Sequence, residues 1–219
     1  MLDVMMQNFW PIFIQGLTVS LPLALVSFIF ALVIAIITAM IRYAKIPVLS
    51  QLIRFYVWII RGTPLLLQLL IVFYGLPSIG FRVNALAAAV FVFSINEGAY
   101  CSETMRGALE SIDKGQLEAG YCCGLSYLQV MVHIVLPQAL RTAFPALMNS
   151  LISMTKDTSL ASNITVTEML FRTQRLAGKN YQFMAMYLTA GLCYLIFCTV
   201  LTWLQRRIEK RLSRYDTKE

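Results

Sequence analysis

The chain has 219 residues, 58% of them hydrophobic and 13% charged, with a formal net charge of +7. A water-soluble domain carries about twice that share of charged residues, so the composition excludes one and implies a polytopic membrane protein. The basic residues gather at the ends of apolar stretches, which makes the charge a record of topology rather than a nucleic-acid-binding surface.

The start lacks the charged n-region, short apolar core and small-residue site of a cleaved leader, so the first apolar segment is expected to stay in the bilayer. Met1 to Gly16 carries no Lys or Arg, as expected of an N-terminus outside the cytosol. Leu17 to Ile41 is uncharged over 25 residues. At about 1.5 Å of rise per residue it crosses a hydrocarbon core ~30 Å thick and forms the first span. Pro22 falls in its first turns, where a helix tolerates proline best. Arg42, Lys45 and Arg54 then place the following turn in the cytosol.

The second span is expected from about Leu52 to Leu76, interrupted by Arg61-Gly62-Thr63-Pro64. Thr63 is poised as an N-cap and Pro64 as the first residue of a restarted helix. Irregular backbone at this depth must be buried in protein or face a cavity. One reading has the restarted helix aim free N–H groups at a substrate carboxylate; the other is a packing kink with Arg61 reaching the headgroups.

After Gly75-Leu76-Pro77 and an outer turn with Arg82, a third span runs from Val83 to about Met105. It carries Asn96-Glu97 near its middle. A carboxylate there needs a partner or water, which makes Glu97 a candidate for the transport route or for a structural pair. Tyr100 is placed to share its face, and Glu103 and Arg106 are spaced for a local ion pair.

Gly107 to Leu140 reads as a cytosolic loop. Gly115 to Gly124 forms a short helix broken by glycine, too short to span anything. Gln129 to Leu136 is a second apolar run that Pro137 is expected to end, with the next hydrophobic helix starting after Arg141. His133 stands without a nucleophile pattern or a second metal ligand and reads as a surface or packing residue. No metal-ligand set and no catalytic residue emerges. The cysteines Cys101, Cys122, Cys123, Cys193 and Cys198 show no zinc or redox spacing.

Thr142 to Thr155 is uncharged for 14 residues, after which Lys156-Asp157-Thr158-Ser159 follows. These residues either neutralise one another or hold the two ends of a zwitterion. Ala161 to Asn180 is expected to be a polar outer segment with a surface helix around Val166 to Leu176, and the segment's Arg172, Arg175 and Lys179 suit an acidic partner surface. The fifth span, Asn180 to Gln205, is uncharged, and Arg206, Arg207, Lys210, Arg211 and Arg214 fix the C-terminus in the cytosol. The sequence therefore predicts an all-α polytopic protein with about five transmembrane helices, N-terminus outside and C-terminus cytosolic. Residues 1–219 form one membrane domain, with the loop 107–140 within it. No GxxxxGK[ST] phosphate loop occurs, so the chain is not expected to bind ATP itself.

Glu118-Ala119-Gly120, then Gly124, then Ile134-Val135-Leu136-Pro137 resemble the EAA loop of ABC-importer permeases. GLSYLQVMVHIVLPQALR, the later KDTSLAS, and Arg61-Gly62-Thr63-Pro64-Leu65 extend the likeness to the polar amino acid permeases over nearly the whole chain. One position departs: Gly120 stands where the family usually has alanine. Glycine lowers helix propensity by roughly 1 kcal/mol, which predicts a less rigid helix here.

The resemblance implies a type I ABC importer permease, non-catalytic and without a cofactor, in the bacterial plasma (inner) membrane. ATP and Mg would bind a partner ATPase, docked through Glu118, Ala119, Gly120 and Gly124. An extracytoplasmic solute-binding protein would deliver a polar amino acid, cystine on overall likeness. A second copy or a homologous permease would complete the pathway. Thr63, Glu97, Lys156, Asp157 and Ser159 are the candidates to line it. The alternatives are a permease for another small polar solute and an ATP-independent channel or carrier. An intramembrane enzyme is disfavoured, because no nucleophile and base converge in the spans.

Overall fold

The computed structural model describes residues 1–212, so Arg214 of the basic C-terminus lies outside the described residues. Among these the regular structure is helical throughout, with no strand. Helix α1 (Leu2–Gln15) passes through a π turn (Gly16–Ser20) into α2 (Leu21–Tyr43), giving one helical run of 42 residues. The first span, expected from Leu17, is thus continuous with helix that begins at Leu2. Ile12 is fully buried and packs in one cluster with Met169, Met186 and Phe197 from later helices, which explains why the first turns are ordered.

Helix α3 (Pro47–Arg61) is followed by α4 (Leu65–Leu70), a π turn (Ile71–Gly75) and a 3-10 turn (Leu76–Ile79). The chain bends by 102° between α3 and this second piece. The break expected at Arg61 to Pro64 is therefore present, and the second span is a bent pair. Among the described residues four other helical runs are long and apolar enough to cross a membrane, so five crossings result if the bent pair counts as one.

Helix α5 (Ala85–Glu110) packs against α2 along a strip of small residues. Ala24, Ala31, Ala35 and Ala39 of α2 are completely buried, as are Ala88 and Ala89 of α5. A Cβ placed on Gly98 would meet Ile34 Cγ2 at 2.9 Å. Small residues let the backbones approach closely, the main source of attraction between helices where lipid is as apolar as leucine. Ile29, Phe30, Val33 and Ile37 of α2 stay exposed, as a lipid-facing surface requires. At the far end of both helices Glu103 pairs with Arg42 and, at 3.0 Å, with Arg106, which also reaches Glu110 at 2.6 Å. The Glu103–Arg106 pair was legible from spacing; the cross-helix bond to Arg42 was not.

The loop that follows contains α6 (Lys114–Cys122), α7 (Tyr127–Val130) and a π turn (Met131–Val135) that leads into α8 (Leu136–Asp157). Pro137 does not end a helix, contrary to the sequence expectation, and no new helix begins after Arg141. The run is continuous from Tyr127 to Ile164. The π turn supplies the reason. Leu136 N bonds Met131 O, one residue further back than in an α-helix, and this widened turn accommodates a proline that lacks an N–H and would otherwise clash with the preceding turn. The same arrangement precedes Leu21-Pro22 and Leu76-Pro77, where Leu21 N bonds Gly16 O and Leu76 N bonds Ile71 O. Pro11 and Pro145 sit inside helices without such a turn. A 3-10 turn (Thr158–Ile164), α9 (Met169–Asn180) and α10 (Phe183–Leu212) complete the fold.

Candidate functional site

The elbow between α3 and α4 is built by hydrogen bonds that replace those the break removes. The Thr63 hydroxyl donates back to Ile59 O at 2.9 Å, so it finishes α3 instead of starting α4. The residue at the N-cap position is Pro64, in extended conformation, and Leu65 is the first helical residue. This corrects the expected assignment of Thr63 as cap and Pro64 as first helical residue. Gln68 Nε2 donates to Ile60 O at 2.9 Å, Thr63 O at 3.2 Å and Thr63 Oγ1 at 2.8 Å, while its Oε1 accepts from Asn96 Nδ2 at 3.0 Å.

Beside this elbow lies a polar cavity of about 520 Å³. Leu65 forms one edge, Asn96, Glu97 and Tyr100 of α5 a wall, and α8 the facing wall. On α8 the lining residues Asn149, Ser150, Ser153 and Asp157 recur at helical spacing and form one polar stripe. Glu97 accepts a hydrogen bond from Cys101 Sγ at 3.5 Å. Among the described residues no lysine or arginine lines the cavity, although the Arg61 guanidinium lies 5.1 Å from the centre of the Tyr100 ring. The volume falls within the range typical of small-ligand sites, and its two ionisable lining groups of carboxyl type are Glu97 and Asp157.

Of the five residues singled out for the pathway, the structure brings Glu97 and Asp157 to this cavity. Thr63 lines a separate apolar recess of about 240 Å³ with Leu67 and Phe91. Lys156 is exposed and Ser159 half-buried, and neither lines the polar cavity. Asn149, Ser150 and Ser153 were missed. Their signal was available as a polar stripe of helical period within a segment read only for its lack of charge. A larger groove of about 710 Å³, lined by Phe30, Ile34, Phe91 and other mainly apolar side chains, offers a polar solute nothing comparable.

Helix α6 starts at Asp113, whose Oδ1 accepts from Gly115 N at 2.6 Å. Glu118 and Ala119 are exposed, and Gly120 is buried. A Cβ on Gly120 would meet Val130 Cγ2 at 2.7 Å and Ile134 Cδ1 at 3.2 Å. The glycine therefore permits close approach of α6 to the π turn, an effect that opposes the loosening expected from its helix propensity. Gly124 closes the helix with φ of 78°. Leu125 N bonds Gly120 O at 3.2 Å and Gly124 N bonds Tyr121 O at 2.9 Å, the paired bonds of a left-handed helix stop. Ser126 and Gln129 then cap α7 reciprocally.

A second polar centre, unforeseen in the sequence, lies where the start of α9 meets the first helical run and α10. Glu168 is completely buried and accepts from Leu170 N at 2.8 Å and Phe171 N at 2.7 Å, capping α9. Tyr194 and Ser20 hydroxyls also donate to it, at 3.3 and 3.4 Å. Burial pushes its carboxyl up to about 7, against the opposing pull of these donors.

The helices long and apolar enough to span a membrane enclose a polar cavity beside a broken span, an arrangement suited to passing a polar solute. The chain belongs to the family described as binding-protein-dependent transport system inner membrane component, which it matches over residues 31–214. It is 42% identical over 217 residues, 99% of this chain and 93% of the relative, to the L-cystine transport system permease protein TcyB of Bacillus subtilis (strain 168). The probable glutamine ABC transporter permease protein GlnP of the same organism is also 42% identical, covering 90% of this chain and 92% of its own. In structure the chain resembles an amino acid ABC transporter solved with histidines, at a TM-score of 0.85 and 28% identity, covering 94% of this chain and 96% of the other. The inward-facing MetNI methionine transporter shares the fold at a TM-score of 0.74 and 19% identity, covering 97% of each chain.

Proposed function

We propose that this chain forms the translocation pathway of an ATP-driven importer for polar amino acids, as the transmembrane subunit in the bacterial inner membrane. The observation that carries the reading is the polar cavity, which sets two carboxylates, Glu97 and Asp157, among hydroxyl and amide groups inside an ABC permease. A zwitterion fits it with its ammonium group toward the carboxylates. Its own carboxylate then faces the start of α4 at Leu65, where backbone N–H groups lack helical partners. Lys156, at the end of α8, and Ser159, in the turn that follows it, flank the cavity residue Asp157 in sequence, and Thr63 holds the elbow. Cystine, which carries two ammonium groups, suits two carboxylates, and the relative TcyB supports that choice.

ATP and Mg bind a separate ATPase, which docks on the exposed face of α6 around Glu118, Ala119 and Gly124. Closure of the nucleotide-binding pair moves α6 and switches access to the cavity. A solute-binding protein delivers substrate on the opposite side, and a second permease, identical or homologous, completes the pathway. With this arrangement the N-terminus is outside and the C-terminus cytosolic.

The test is uptake by the reconstituted transporter carrying Glu97→Gln, Asp157→Asn or both. Removing a charge partner from a desolvated site costs enough binding energy that each single variant is expected to raise the half-saturation concentration about tenfold or more. Unchanged uptake in the double variant would show that the substrate route lies elsewhere.

A further inference from the structure

We propose that Gln68 is a positioning residue of the transport pathway, which sets one wall of the polar cavity by tying the elbow of the broken span to Asn96; this rests on the transport reading above. A helix that stops inside a membrane leaves its last carbonyls without partners, and no lipid group can satisfy them. Gln68, one turn into α4, turns back to supply donors to Ile60 O and Thr63 O. The Thr63 hydroxyl spends its proton on Ile59 O, so it acts as acceptor toward Gln68. Three acceptors on that side fix the amide's orientation, with Nε2 at the elbow and Oε1 turned to α5. There Oε1 receives Asn96 Nδ2 at 3.0 Å.

Only a long amide satisfies both ends. Glutamate lacks the donors, leucine lacks both functions, and asparagine is one methylene short. The tie is placed where it matters for the substrate. Asn96 precedes Glu97 and lines the polar cavity, while Leu65, on the elbow side of the tie, forms another edge of the same cavity. Asn96 is itself buried. One chain of side-chain amides thus joins two walls of the site, and a change in the elbow angle is passed to the residue beside Glu97.

The experiment measures uptake against substrate concentration in liposomes holding the complete transporter, with L-cystine, L-arginine and L-glutamine as probes. Gln68→Asn is expected to lower kcat/KM about tenfold, through loss of the hydrogen bonds at both ends. Adding Asn96→Gln to it restores the reach between the two amides but not the bonds to the elbow carbonyls. The proposal requires this swapped pair to regain several-fold of the lost uptake. It also requires Gln68→Leu combined with Asn96→Ala to melt no lower than Gln68→Leu alone. A Gln68 that serves only to satisfy carbonyls would show no recovery of uptake in the swap and an added loss of melting temperature in the double variant, and either result overturns the tie. Thermal unfolding of the same variants in detergent provides the independent arm. Should the wild type take up none of the probes while stabilities still couple Gln68 to Asn96, the tie stands and the transport reading fails; uncoupled stabilities overturn the tie.

Discussion

Gly120 meets two opposing demands. An alanine there would gain roughly 1 kcal/mol of helix propensity, yet its Cβ would fall 2.7 Å from Val130 Cγ2. Val130 is completely buried and β-branched, so it yields poorly. Overpacking typically costs about 1–3 kcal/mol and is the larger effect. Gly120→Ala is therefore expected to lower the melting temperature of the purified permease, and Gly120→Ala with Val130→Ala to recover part of the loss. A stabilised single variant would show that propensity governs this site.

Glu168 makes a second prediction at the same scale. Its carboxyl is raised from 4.5 to about 7 in the folded protein, so the folded state holds the proton more tightly than the unfolded state. The associated stability is complete below pH 4.5 and is lost as pH rises through about 7, on the order of 3 kcal/mol across the window. The melting temperature of wild type relative to Glu168→Gln should accordingly fall between pH 5 and pH 8. A difference that rises with pH over that range would contradict the assignment.

At the scale of elements, α6 presents Glu118 on an exposed face while its far end is fixed by Gly124. Glu118→Lys reverses a charge on the proposed docking face without touching the core, and should lower ATP-dependent uptake while leaving insertion and yield intact. Normal uptake by that variant would remove α6 from the coupling role.

The same elements show what a linear reading captures. The break at Arg61 to Pro64 was legible because glycine and proline in an apolar run have few structural uses, and the exposed helix because glycine bounded it. Pro137 was misread as a stop. The three Leu-Pro pairs that follow π turns differ from a helix end only in the turn before them, and that turn depends on backbone bonds, such as Leu136 N to Met131 O, that no residue type announces. Glu97 and Asp157 stood out as charges in apolar surroundings. Gln68, Asn149 and Ser150 are uncharged, and their roles arise from partners on other helices. Glu168 lay in a segment expected to be polar and outside the membrane, where a carboxylate attracts no notice until Ser20 and Tyr194 are seen to enclose it.

For the whole molecule, the fold places an acidic cavity beside the bent span and an exposed short helix in the loop between α5 and α8. We propose that these serve one process, uptake of a polar amino acid driven by ATP. The most direct measurement is ATP hydrolysis by the permease reconstituted with a candidate ATPase and a candidate solute-binding protein, against the common amino acids and cystine. Stimulation by one or a few polar amino acids is expected, with cystine foremost, and loss of that stimulation in Glu97→Gln with Asp157→Asn. Failure of the permease to assemble with the ATPase, or hydrolysis indifferent to every amino acid, would contradict it.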